Sequence, residues 1–378
     1  MEKLQNRDGD QALLQVMNHS SRNVADSKRT RTAQQAVRHQ EFYRAAREIC
    51  KDQFAVRPSL YWIDFIVSVS FAYLCAGLWL RTSMTSPLAW VCFAGAAVLV
   101  YRSSLFIHEI VHLPSGEMKV FRRFWNLVAG VPLLLPSFTY ESHMHHHSSR
   151  HYGTEQDGEY LPLASGTLGG VFMFLAQIFF QPFIVLFRYA VWTPISFCHS
   201  GLRKWTLQHA TSLVINFQYE NHKRPEKQSA EDTFWELATT AGIYVAIVVL
   251  LSGLMPIDRL PKIYMLVVFV LAVNHIRTLA AHRYTSDGST ISHLDQFLDS
   301  TNVTGNWITE MMCPLGLRYH ALHHLFPKIP YYNLGVAHRR LMEQLPEDSL
   351  YHETVYPNLR SAISELLTAV RSGKHKVT

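Results

Sequence analysis

The sequence predicts an all-α membrane protein: four transmembrane helices in two hairpins, with interfacial helices and a cytoplasmic, histidine-rich cap. Two observations give the spans. Four apolar runs of about twenty residues are each long enough to cross a hydrocarbon core. They fall in two pairs joined by tight links, so each pair closes as a helical hairpin. The third observation gives the cap: three histidine clusters at helical spacing, set among few charged residues.

Composition fits this class. Apolar residues make up 48% of the 378, yet the mean hydropathy is close to zero, so long apolar runs alternate with polar stretches. The five cysteines form no C-x-x-C pair and indicate neither a disulfide framework nor a thiolate site. The net charge of +6 comes from basic residues flanking the apolar runs. That placement suits a membrane surface and argues against nucleic acid as a partner.

Residues 1–57 read as a polar cytoplasmic segment, and no signal peptide is expected because the first apolar run comes too late. Within it, parts of 33–54 fit an amphipathic helix along the membrane face, with Phe42, Ala45, Ala46 and Ile49 to one side. The membrane-embedded domain is expected over 58–345, with spans at about 60–80, 87–107, 236–255 and 262–281, followed by a cytoplasmic tail at 346–378. Lys28–Arg31, Arg122-Arg123, Arg203-Lys204, Lys223-Arg224 and Arg339-Arg340 flank the hairpins, whereas the tight links are less basic. This asymmetry puts both termini and all the histidine clusters on the cytoplasmic side. Such a protein resides in the inner membrane if bacterial, or in the endoplasmic reticulum if eukaryotic.

Leu168 to Trp192 is also long and apolar. A single crossing there would separate the second histidine cluster from the third, so it is expected to lie in the interface or re-enter, crossing zero or two times. Val128 to Phe138 is too short to cross and reads as interfacial or re-entrant. In the first hairpin Asp64 and Arg102 reach similar depth, so they either pair or snorkel separately. Later, the sequence predicts turns at Asp287-Gly288 and Pro327 to Pro330 and a helix over 335–344, while Asn302-Val-Thr304 spells a glycosylation acceptor that a cytoplasmic location would leave unmodified.

The clusters are His108-x-x-x-His112, His143-x-x-His146-His147 and His320-x-x-His323-His324. Positions i, i+3 and i+4 share one helical face, which points to metal binding. A further ligand can come from His275 or His282, which are i, i+7. Eight or nine imidazoles exceed one octahedral ion and suffice for two. An all-nitrogen set disfavours magnesium and calcium; with open positions it suits redox chemistry with dioxygen. His108-Glu109-x-x-His112 alone spells a zincin motif, but a catalytic zinc leaves the other clusters unexplained. A metal transporter needs ligands near the midplane, and these stand at the span ends. Glu109, Glu141, Asp157 and Glu159 are candidates to orient metal-bound imidazoles, against the alternative that they are solvated loop charges, as are Asp295 and Asp299. His145, His151, His275, His293 and His338 are expected to be secondary or surface groups.

These residues resemble the integral-membrane fatty acid desaturases and their relatives, the alkane hydroxylases. Their three boxes, H-x-x-x-H, H-x-x-H-H and H-x-x-H-H, occur here in order, and Leu325-Phe-Pro-Lys-Ile-Pro-Tyr331 is similar to the segment after the third box. The resemblance covers about residues 60–345. It implies two non-haem irons held by His108, His112, His143, His146, His147, His320, His323 and His324, with His282 as the extra ligand. It also implies dioxygen as co-substrate and a fatty acid or acyl lipid as substrate. The first box reads His-Glu, as in hydroxylase-type relatives, and the third begins with His320 instead of Gln, unlike front-end desaturases. No His-Pro-Gly-Gly sequence occurs, so electrons are expected from a separate donor of ferredoxin, rubredoxin or cytochrome b5 type with its reductase. Desaturation is the first expectation; hydroxylation and oxidative decarboxylation to a terminal alkene are the alternatives.

Overall fold

The computed structural model describes residues 37–114, 116–221 and 228–373. Lys28–Arg31, Lys223-Arg224 and most of the polar N-terminal segment lie outside them. The described chain begins with helix α1 (37–49). Then come α2 (Pro58–Arg81), α3 (Pro87–His112), α4 (Lys119–Trp125) and the short α5 (His143–His146). Next are α6 (Leu168–Phe187), α7 (Thr193–Cys198), α8 (Ser200–His209), α9 (Ala230–Leu251) and α10 (Leu260–Ala281). A cap follows from α11 (His293–Asp299), strand β1 (Asn302–Val303), α12 (Trp307–Met312), α13 (His320–Leu325) and α14 (Tyr331–Gln344), closed by strand β2 (Val355–Tyr356) and α15 (Leu359–Ser372).

Among the described residues five helical stretches, not four, are long and apolar enough to cross a membrane, and the chain is a multi-pass membrane protein. Four match the expected runs. The fifth, Leu168–Cys198, continues α6 through a wide turn at Arg188–Trp192 into α7. Pro182 lies inside it, and its outer face carries exposed Phe172, Phe179, Phe180, Phe183 and Phe187, which suits lipid tails. Both flanks of this stretch return to the histidines' end of the molecule. Before it, Ala164 N–H donates to Tyr284 O; after it, Leu213 N–H donates to Thr139 O and Ile215 N–H to Gly158 O.

The first hairpin packs along its length, and its two charges meet. Arg102 donates to both Asp64 oxygens, at 3.2 and 2.5 Å, and Tyr331 OH donates to the same carboxylate at 2.7 Å. The second hairpin is splayed, because α10 packs mainly on α6 and α3. Phe183 meets Tyr264 at 5.3 Å, and Tyr264 OH donates to Phe179 O. Helix α9 packs instead on the Arg188–Cys198 turn, where fully buried Glu236 accepts from Arg188 and Arg203.

Two expectations change. The apolar face of α1 meets protein, not membrane: Phe42, Ala46 and Cys50 are buried against Phe297, Leu322 and Tyr351, while Ala45 is exposed. Residues beyond 345 are also no loose tail over the described part, since Tyr351, Leu366 and Val370 are buried and β2 pairs in parallel with β1. That pairing buries Asn302, whose amide donates to Thr354 Oγ1, so the acceptor tripeptide is enclosed.

Asp64 and Arg102 are each about a quarter exposed, so removing one partner leaves a poorly solvated charge. Asp64→Leu is expected to lower stability by about 1–3 kcal/mol. Adding Arg102→Met should recover most of that loss, measured by thermal unfolding in detergent micelles.

Candidate metal centre

Three backbone devices bring distant histidines to one place. His108 and His112 occupy the last turn of α3, and His282 caps α10. The segment after α11 then ties α10 to α13: Thr301 N–H donates to Ala281 O, His282 bridges Ser300, and Ala321 N–H donates to Thr301 O. The Asn302 side chain accepts from Leu322 N–H at 3.0 Å, fixing the start of α13. Helix α5 is held from behind by the loop at 151–159. There Gly153 adopts φ +67, and a Cβ would come within 2.6 Å of Ser286 Cβ, so only glycine fits the turn. Its N–H donates to Asp157, as does Glu159 N–H, aiming that carboxylate at His146.

The nine histidines form two groups, in each of which the ligand atoms lie within 4.8 Å of one another. One holds His108, His112, His143, His147 and His323; the other holds His146, His282, His320 and His324. The second and third clusters are therefore split alike. Their i and i+4 members stay together, while the i+3 member crosses to the other group. On a helix, i+3 lies about 60° to one side of i and i+4 about 40° to the other, so one turn can serve two centres. The rings of His147 and His324 stack at 4.3 Å between the groups.

Nitrogen faces nitrogen throughout. His147 Nε2 lies 3.0 Å from His143 Nε2, His323 3.0 Å from His112, His320 2.9 Å from His282, and His146 3.2 Å from His282. Around a cation with metal–nitrogen bonds of roughly 2.0–2.1 Å, adjacent ligands stand at about these separations. Nε2 of His108 is buried among these rings with no hydrogen-bond partner. Burial holds His143, His147, His282, His320, His323 and His324 well below the ordinary histidine pKa, and neighbouring imidazoles add to the effect. Neutral imidazole is the metal-binding form. For His146 burial pushes the pKa down, but the Asp157 carboxylate, with Glu159 and Asp299, raises the balance.

Two of the outer nitrogens meet carboxylates. His143 Nδ1–H donates to Glu159 at 2.9 Å and His146 Nδ1–H to Asp157 at 2.9 Å. Burial pushes Glu159 up to about 7, against the pull of His146 and of the Tyr140 hydrogen bond. His282 is held through a phenol. Tyr152 OH donates to Asp299 at 2.7 Å, so its oxygen accepts from His282 Nδ1–H at 2.9 Å. Burial keeps the Tyr152 and Tyr160 phenols protonated, and Tyr160 OH also donates to Asp299, at 2.8 Å. Ser300 Oγ spends its proton on Gln296 O and offers His282 only a lone pair. Both contacts put the His282 proton on Nδ1 and turn its free Nε2 toward His146 and His320.

Other expected residues take different places. Glu109 is turned away from the imidazoles: it accepts from Tyr61 OH at 2.8 Å and Tyr331 N–H at 3.2 Å, while His108 Nδ1 stands 3.8 Å off. A zincin general base would face the metal, so this orientation removes the protease alternative. Glu141 is exposed on the turn before α5. Asp295 caps α11 with Ser292, whereas Asp299 is buried in the site. His145 pairs with Tyr219 OH, His275 with Leu271 O and His338 with Tyr351 OH, all outside the two groups. His151 packs on the ring of His145 and His293 on that of Tyr43, also outside them.

The fatty acid desaturase family model matches residues 83–356, more than two thirds of the chain. The chain belongs to the fatty acid desaturase family. A ceramide hydroxylase of Caulobacter vibrioides (strain NA1000 / CB15N) is 38% identical over 346 residues, covering 87% of this chain and 93% of the relative. No solved structure matches the chain. All nine histidines of the two groups lie within the matched region, and the protein is an enzyme of the membrane desaturase/hydroxylase superfamily.

Carboxylates behind metal-bound imidazoles typically change metal affinity 10–100-fold. Asp157→Asn and Tyr152→Phe are expected to lower metal retention by about that factor. Glu141→Gln should hold it within about twofold, because its carboxylate is exposed. Metal content after graded chelator dialysis checks all three.

Proposed function

We propose that this protein is an oxygen-dependent di-iron hydroxylase of a long-chain acyl lipid, with a ceramide-like lipid as the leading substrate class. The observation that carries it is the 38% identity to a ceramide hydroxylase across nearly the whole of both chains. This reading displaces desaturation, the first expectation. The irons are assigned to His108, His112, His143, His147 and His323 at one site and to His146, His282, His320 and His324 at the other. Imidazole donors with no oxygen ligand among them suit iron better than magnesium or calcium.

Bound there, iron would supply the activation of dioxygen and the cleavage of an unactivated C–H bond. The chain's own residues do the rest. Asp157, Glu159 and the Asp299–Tyr152 pair keep the ligand nitrogens deprotonated and aimed. The buried second group excludes water, while His112 and His147 are partly accessible and mark the open side of the first. The exposed aromatic face of α6 and its neighbours keeps the enzyme in the bilayer that carries its substrate. The basic flanks support a cytoplasmic location for the centre, where a separate ferredoxin, rubredoxin or cytochrome b5 type of donor can deliver electrons.

Purified protein is expected to carry about two irons per chain, in line with two histidine groups that can each hold an ion. Expression in a host of defined lipid profile should add one oxygen to an acyl lipid, read by mass spectrometry. His323→Ala and His320→Ala should lower product at least about 100-fold. Loss of two hydrogens with no added oxygen would restore desaturation. A single zinc and no oxidised lipid would refute the oxidase altogether.

A further inference from the structure

Charges inside the apolar helices are answered by partners. Asp64 meets Arg102, Glu236 meets Arg188 and Arg203, and Glu109 accepts two hydrogen bonds. Arg277 differs. It stands in α10, five residues before His282, and pairs with no carboxylate among the described residues. One terminal nitrogen donates to Asn274 Oδ1 at 3.1 Å and Thr278 Oγ1 at 3.3 Å, and the Nε proton is buried with no acceptor. Tyr101 OH, from α3, donates to the same Asn274 oxygen at 3.3 Å.

A guanidinium in a membrane-spanning helix is costly to leave unpaired, and such residues face bundle interiors and ligand paths. Arg277 faces inward. Tyr101, Tyr140, Tyr284 and Cys313 lie around it. Its side chain is nevertheless only partly buried. The Asn274 contact shows the side chain running back toward the start of α10. That leaves the guanidinium on the order of 10 Å short of the histidines, by helical rise. An arginine fork presents parallel donors suited to carboxylate or carbonyl oxygens.

We propose that Arg277, with Tyr101 and Asn274 beside it, binds the polar end of the lipid substrate through an oxygen acceptor. The inference rests on the lipid-oxidase reading and adds where the substrate is gripped. A grip at fixed distance from the histidines makes the oxidised carbon a fixed count from the polar end. The shared ligand chemistry is an sp2 oxygen, supplied either by a free fatty acid's carboxylate or by a ceramide's amide carbonyl.

The test measures binding of radiolabelled palmitate and of a C16 ceramide to iron-loaded wild type and Arg277→Gln in detergent micelles, with iron content and melting temperature as controls. Affinity for one probe should fall at least tenfold with iron unchanged, and Arg277→Lys should recover part of it. A fall for palmitate assigns a carboxylate, and a fall for ceramide assigns a carbonyl. Unchanged affinity for both overturns the proposal. Should Arg277→Gln not fold, wild type is given lipids that differ only in the length of the oxidised chain. A constant position counted from the polar end supports the grip; a position constant from the methyl end, or scattered, overturns it. Arginine-dependent binding without any oxidised product would instead refute the oxidase and leave the binding site standing.

Discussion

The structure depends on holding nine imidazoles, seven of them buried, with ring nitrogens pointed at one another. Unprotonated nitrogens at about 3 Å repel unless a cation lies between them, so the arrangement has to be enforced from outside. Two covalent facts begin the work: His108 and His112 end one apolar helix and His282 ends another. Thr301 and Asn302 complete it, fastening the end of α10 to the start of α13 by main-chain hydrogen bonds. The histidine spacing then distributes the rings. Each cluster of the H-x-x-H-H form sends its i+3 member to the neighbouring group, so neither group can form without both segments in place.

Hydrogen-bond polarity matters as much as position. An imidazole can offer Nε2 to a metal only if its proton sits on Nδ1, and the partner of Nδ1 decides that. Carboxylates do so directly for His143 and His146. For His282 the decision is made one residue further out, because Asp299 claims the Tyr152 proton and leaves an oxygen lone pair. Asp299 also accepts from Tyr160 and from Thr285, so four donors saturate it. Loop 151–160, the end of α11 and the cap of α10 thus form one rigid unit behind the second group.

Length and period made the four expected helices and the three clusters readable from the sequence, because both signals are local. Helical spacing offered His275 and His282 as a further ligand, and the resemblance to a known family singled out His282. What went unread was set by tertiary context. Asp299 and Asp295 look alike in sequence at i, i+4, yet one is buried under two phenols and the other caps a helix. Tyr152 follows His151 in a polar stretch with no local pattern to mark it. The face of α1 was readable as amphipathic, but nothing local distinguishes a membrane from the cap's own core as the surface it meets. Parity argues against a single crossing by Leu168 to Trp192, and hydrogen bonds at both flanks of Leu168–Cys198 do return to the histidines' end, although its length and composition match those of a span.

Glu109 shows why box residues are a poor guide to reaction outcome. The glutamate gives the first box the His-Glu form that resembles hydroxylase-type relatives, and taken alone it invites a chemical explanation. In the fold it reaches away from the imidazoles to Tyr61 on α2 and to the backbone at Tyr331, where α14 begins. Tyr331 in turn donates to Asp64, which holds Arg102. The carboxylate is therefore the centre of a brace joining the first hairpin to the cap, and the extra methylene over aspartate supplies reach. The same nitrogen ligands can serve hydrogen removal or oxygen return, so the choice between them belongs to residues that place the carbon chain. Under the proposed grip Arg277, which pairs with no carboxylate among the described residues, would be one such residue outside the three boxes.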